Sequence, residues 1–87
     1  MDSAKKKQFK AQAHSLKPVI IVGQAGLTES VLKEIEITLD THELIKIKIR
    51  DEKEQRNKIR EQIVIATNSD LIQSIGQIIV IYRKKIT

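Results

Sequence analysis

The chain has no cysteine and no tryptophan, one proline, three glycines and two aromatic residues among its 87 positions. Each scarcity excludes something. Without cysteine there is no disulfide framework, no thiolate nucleophile and no thiolate metal site. That absence suits a reducing compartment. With only Phe9 and Tyr82 as aromatics, there is no row of rings on which successive bases stack. No apolar run approaches the length that crosses a bilayer. The start, Met1-Asp2-Ser3-Ala4-Lys5-Lys6-Lys7, has no apolar segment behind its lysines and does not read as a secretory signal. A soluble cytoplasmic protein is expected.

What is present suffices for one core. Hydrophobic residues make up 40% of the chain, and its length fits a single domain over residues 1–87. The formal charge is +5 and is unevenly placed. Residues 1–17 hold Lys5, Lys6, Lys7, Lys10 and Lys17 against Asp2, and the tail holds Arg83, Lys84 and Lys85. The span 18–82 is slightly acidic, with 8 basic and 10 acidic residues. If the fold joins the ends, they form a positive patch suited to a polyanion. Solubilising charge on frayed ends is the other reading.

The hydrophobic pattern gives the element order. Residues 3–16 read as a helix capped by Ser3, with Ala4, Phe9, Ala13 and Leu16 toward one side. Lys17-Pro18 ends it, because a proline disfavours helical geometry in the residue before it. Residues 19–22 are wholly apolar, the pattern of a strand covered on both faces. Thr28 caps a second helix, with Glu29 favoured by the helix dipole. Val31, Leu32, Ile35 and Leu39 form its apolar stripe, and Ile37 falls out of phase. Residues 44–50 alternate after Leu44: Ile45, Ile47 and Ile49 face one way, Lys46, Lys48 and Arg50 the other. The charged span 51–60 passes into a third helix, with Ile59, Ile63 and Ala66 toward the core and Val64 beside them. Asn68-Ser69-Asp70 breaks it. Apolar runs at 71–75 and 78–82 flank Gly76-Gln77, a two-residue hairpin signal. A right-handed strand–helix–strand crossover makes the first two strands parallel. The expected fold is an α/β sandwich, helix-strand-helix-strand-helix-strand-strand, around a four-stranded mixed sheet.

No motif for catalysis emerges. His14 and His42 are isolated, with no metal-ligand spacing around them. Ser15, Ser30, Ser69 and Ser74 lie in no nucleophile motif. The segment Gly23-Gln24-Ala25-Gly26 is not a Walker A loop, since no Lys-Ser/Thr follows its second glycine, and it lacks the third glycine of the dinucleotide fingerprint. A non-enzyme without cofactor or metal is expected. The glycine segment does lie between a strand and a helix N-terminus, which exposes N–H groups and partial positive charge. Glycines there let a phosphate backbone come close, as the GXXG loop of the KH module does. A plain connecting turn is the other reading. Lys46, Lys48 and Arg50 extend the loop as a basic strip, or form the solvated face of a half-exposed strand.

Taken together, these residues resemble the bacterial stand-alone YhbY type of the CRM domain (chloroplast RNA splicing and ribosome maturation). The likeness rests on Leu16-Lys17-Pro18, the apolar strand into Gly23-Gln24-Ala25-Gly26-Leu27-Thr28, His42-Glu43-Leu44-Ile45-Lys46-Ile47-Lys48, and Gly76-Gln77-Ile78-Ile79-Val80-Ile81-Tyr82-Arg83. The resemblance implies an RNA-binding domain whose glycine loop touches RNA, with a fold similar to the C-terminal domain of translation initiation factor three. It implies structured ribosomal RNA in large-subunit precursors as the partner; plant relatives act in group II intron splicing. The loop's middle residues, Gln24 and Ala25, carry no charge, so phosphate contact there relies on backbone N–H groups with charge supplied from elsewhere. The RNA-binding set expected is Gly23, Gln24, Ala25, Gly26, Lys5, Lys6, Lys10, Lys17, Lys46, Lys48, Arg50, Arg83 and Lys84, in a monomer. A protein-interaction module with merely solubilising ends is the alternative.

Overall fold

The computed structural model describes residues 1–85. Three helices and four strands follow in the expected order: α1 (Ser3–Ala13), β1 (Ile20–Val22), α2 (Glu29–His42), β2 (Leu44–Ile49), α3 (Lys53–Thr67), β3 (Asp70–Ile75) and β4 (Ile78–Tyr82). The sheet order is β1-β2-β4-β3. β1 and β2 run parallel, and the other two pairings are antiparallel. The mixed sheet is thus as the pattern implied.

The alternation of β2 decides which face is core. Ile45, Ile47 and Ile49 are buried, whereas Lys46 and Lys48 are half-buried on the opposite face. The three isoleucines join Ile20, Val22, Ile79 and Ile81 under Ile35 and Leu39 of α2 and Ile59 and Ile63 of α3. On the opposite face lies a smaller cluster of Ala13, Ile72 and Val80, packed with Phe9, Leu44 and Tyr82. Here α1 covers β2 and β3 but leaves β1 open.

Several local expectations are corrected. Asp2 caps α1, its Oδ1 accepting from the Lys5 N–H at 2.8 Å, because a carboxylate one position earlier reaches that donor. The helix also stops at Ala13, and Leu16 donates back to the Ala13 carbonyl in a turn. Leu16, beyond the helix, is exposed, and so is Ala4 in its first turn. β1 is an edge strand, not covered on both faces: Ile20 and Val22 are buried but Ile21 is 52% exposed. In α3 it is Thr67, not Ala66, that turns to the core. The Thr67 hydroxyl donates to the Ile63 carbonyl at 2.7 Å and lies 2.8 Å from the Ser69 hydroxyl, which satisfies a buried polar side chain. Ile37, out of phase in sequence, simply faces water.

Turns follow from backbone conformation. Asn68 ends α3 at φ 52°, the left-handed geometry that asparagine tolerates. Gly76 takes φ +55° in the β3–β4 hairpin, where Ile75 pairs with Ile78.

Candidate nucleic-acid interface

The glycine segment sits at the carboxyl end of β1 and opens α2. The Gly26 N–H donates to the Gly23 carbonyl at 3.0 Å, closing a four-residue turn, and the Thr28 N–H donates to the Gly26 carbonyl at 3.1 Å. Thr28 then caps α2, its hydroxyl accepting from the Val31 N–H at 3.2 Å. Two of the loop's donors are thus used by the fold. Among the described residues, the N–H groups of Gln24, Ala25, Glu29 and Ser30 have no acceptor. Gln24 and Ala25 are exposed.

The two glycines differ. Gly26 has φ +77°, a region that side-chain-bearing residues rarely occupy. Gly23 has no positive φ, and a Cβ built on it meets nothing within 4 Å. The turn requires a glycine at 26; nothing inside the molecule requires one at 23.

Chain direction brings a basic pair to this end of the sheet. Ile21 pairs with Lys48 and Val22 with Ile49, and the Arg50 N–H donates to the Val22 carbonyl at 2.9 Å. The hairpin tip lies here too, since the Ile49 N–H donates to the Gln77 carbonyl at 2.7 Å. Gln24, Lys48, Arg50 and Gln77 line one shallow groove of about 590 Å³. Asp51 and Glu52 line it as well, an acidic wall that offsets the two cations. The sequence pattern did not signal that wall, because it forms only where the α3 N-terminus meets the loop.

The other expected residues lie elsewhere. Phe9 stacks on Tyr82, whereas His14 borders Lys46, Gln73, Ile75 and Ile78. The axis of α1 therefore runs from the Tyr82 end of β4 toward the hairpin tip. Lys5 and Lys6 precede Phe9 and fall at the end away from the glycine loop; Lys10 lies between, and all three are exposed. Lys17 and Lys46 line a cleft beside β1. Lys84 is exposed. The ends do meet through Phe9 and Tyr82, but the cations do not converge on the loop: Lys84 lies beside Glu36, Asp40 and Thr67 on the α2 and α3 face, opposite the lysines of α1.

Arg83 is engaged inside the fold. It donates to Glu36 Oε2 at 2.9 Å, the Thr67 carbonyl at 2.8 Å, Asp40 Oδ1 at 2.9 Å and the Glu36 carbonyl at 3.2 Å. Its burial works against the charged form, but hydrogen bonds and charge from Glu36, then Asp40, outweigh this and hold its pKa above the ordinary value. The guanidinium ties the chain after β4 to the end of α2 and the end of α3, so we leave Arg83 out of the interface.

Among the described residues, no three His, Asp or Glu side chains gather as a metal site. No helix there is long and apolar enough to cross a membrane.

The architecture defines a class first: a single α/β domain with a four-stranded mixed sheet, helices on both faces and a glycine turn leading from an edge strand into a helix. The family model of the CRS1 / YhbY (CRM) domain matches residues 1–83, and the chain belongs to that family. A probable RNA-binding protein of Pseudomonas aeruginosa is 49% identical over 80 residues, covering 91% of this chain and 77% of the relative. An RNA-binding protein of Haemophilus influenzae is 48% identical over 83 residues, covering 93% and 84%. The solution structure of the hypothetical protein SAV1595 from Staphylococcus aureus superposes with a TM-score of 0.85 at 32% identity, covering 100% of this chain and 92% of that one.

Proposed function

We propose that this protein binds RNA without catalysing a reaction, and that it grips phosphate through the glycine loop and the basic side chains around it. One observation carries the reading most: Gly23, a glycine the fold does not need, stands beside N–H groups without acceptors at a helix N-terminus. A residue kept small where there is room for more suits a partner whose backbone comes close. Lys48 and Arg50 supply the charge that Gln24 and Ala25 lack. The similarity to RNA-binding proteins over nearly the whole chain supports the same partner.

The finer reading is structured ribosomal RNA, bound during assembly of the large ribosomal subunit in the cytoplasm by a monomer. It is supported by the family resemblance and by the two rings being engaged with each other, which leaves shape and phosphate as the means of recognition. A second reading has its own observation. Val19 and Ile21 are each 52% exposed beside an open strand edge, a surface on which a protein partner could dock. A salt titration separates them. Binding through several cations weakens steeply as salt rises, and docking on apolar surface does not. Crosslinking in cells with mapping of the bound RNA tests the ribosomal assignment; recovery of RNA outside large-subunit precursors would contradict it.

A further inference from the structure

Beside β1, at the end away from the glycine loop, lies a cleft of about 440 Å³ between the segment after α1 and the start of β2. Its apolar walls include Leu16, Val19 and Leu44. Leu16 is 36% and Val19 52% exposed, so the fold leaves this apolar surface in water. Lys17, Lys46 and His42 also line it, and no carboxylate does. Neither lysine takes part in an ion pair among the described residues. The cleft therefore combines an apolar floor with uncompensated positive charge. A neutral apolar ligand would leave the lysines without a partner, and a simple anion would leave the floor wet. A nucleotide has both a flat apolar base and a phosphate.

We infer that this cleft receives one unpaired base of the bound RNA, its phosphate lying toward Lys17 and Lys46. The inference rests on the proposed RNA binding and deepens it. Val19 to Gly23 spans four strand steps, about 13 Å, so a short unpaired segment can reach from the cleft along β1 to the glycine loop. Ile21 and Lys48, cross-strand neighbours on the open face, line that path. A base held mainly by aliphatic side chains, with the His42 imidazole at the cleft wall, gains apolar contact on its face, so the site selects for an unpaired base and only weakly for its identity.

The test uses the full chain with two RNAs: a fully paired duplex, and the same duplex carrying a short unpaired bulge. Wild type binds the bulged RNA more tightly. The Leu16→Ser/Val19→Ser double variant binds the bulged RNA roughly five-fold or more weakly, because the apolar floor is gone. It keeps its affinity for the duplex and its salt slope, since no cation is altered. A fluorescent base analogue in the bulge adds a readout on unaltered protein, and its emission changes on binding. Equal wild-type affinity for both RNAs, an equal loss on both in the variant, or unchanged emission overturns the cleft and leaves RNA binding standing. Failure of wild type to bind either RNA overturns both readings.

Discussion

Phe9 and Tyr82 stack with their ring centroids 4.2 Å apart and their planes 24° from parallel. These are the chain's only phenylalanine and tyrosine, and it has no tryptophan; each ring is the other's partner. The pair fastens α1 to the end of β4 and so places the lysine-rich helix on the sheet. It also leaves neither of these two rings free for a base. Phe9→Ala should lower stability by about 2 kcal/mol, less than for a fully buried phenylalanine because Phe9 is half-buried. For a domain of this size that is a fall in Tm of roughly 10 °C. Thermal unfolding checks it; an unchanged Tm would show that α1 is held by Ala13 and the helix backbone alone.

Arg83 offers a second stability test. Arg83→Ala removes four hydrogen bonds, two of them to carboxylates. We expect a loss of about 2 kcal/mol, within the range for charge-assisted bonds that are partly solvent-screened. Lys84→Ala, on the exposed neighbour, should change stability by less than about 0.5 kcal/mol. Equal effects of the two changes in denaturant unfolding would remove the structural role given to Arg83.

These two residues also show what was legible in the sequence. The strict alternation of β2 and the Gly76-Gln77 turn are local signals, and the sheet follows from them. The pairing of Arg83 with Glu36 and Asp40 joins positions more than forty apart in the chain, and no local pattern announces it. β1 misleads for a related reason: Ile21 is apolar whether or not a helix covers it, and only the placement of α1 over β2 and β3 decides that none does. Thr67 reads as polar, yet its hydroxyl bonds to Ile63 within the same helix and so fits the core. The glycine loop was legible as a position. Which glycine the turn requires was not, because that depends on φ.

Neutralising Lys5, Lys6, Lys7 and Lys10 by substitution with glutamine should weaken RNA binding and flatten its salt dependence. All four are exposed on α1. Each lysine that meets a phosphate adds about one unit to the slope, and its replacement takes that unit away. Since Lys5 and Lys6 lie away from the glycine loop, a shallower slope would show that RNA follows the α1 side of the protein. The salt titration of the quadruple variant decides; an unchanged slope would mean these lysines only keep the chain soluble.

The two loop glycines should separate. Gly26→Ala forces a side chain into φ +77° and should cost about 1–2 kcal/mol of stability. Gly23→Ala has open space and no positive φ, so stability should hold or rise by up to about 0.5 kcal/mol, as the unfolded chain loses freedom. Its RNA affinity should nevertheless fall several-fold. Unfolding and RNA binding of both variants check this; a Gly23→Ala protein with full affinity would show that no backbone approaches there.

The most direct measurement is on Ala25→Asp. Ala25 is exposed at the centre of the loop, so the change buries nothing and should leave the melting temperature near that of wild type. It sets a carboxylate where phosphate is proposed to meet the Gln24 and Ala25 N–H groups. Repulsion between unit charges in contact is on the order of 1 kcal/mol in water and more where water is partly excluded. RNA affinity and thermal unfolding are measured on one preparation. The account predicts an affinity several-fold weaker with an unchanged Tm. Full affinity in a well-folded Ala25→Asp protein would contradict it and reduce the loop to a turn between β1 and α2.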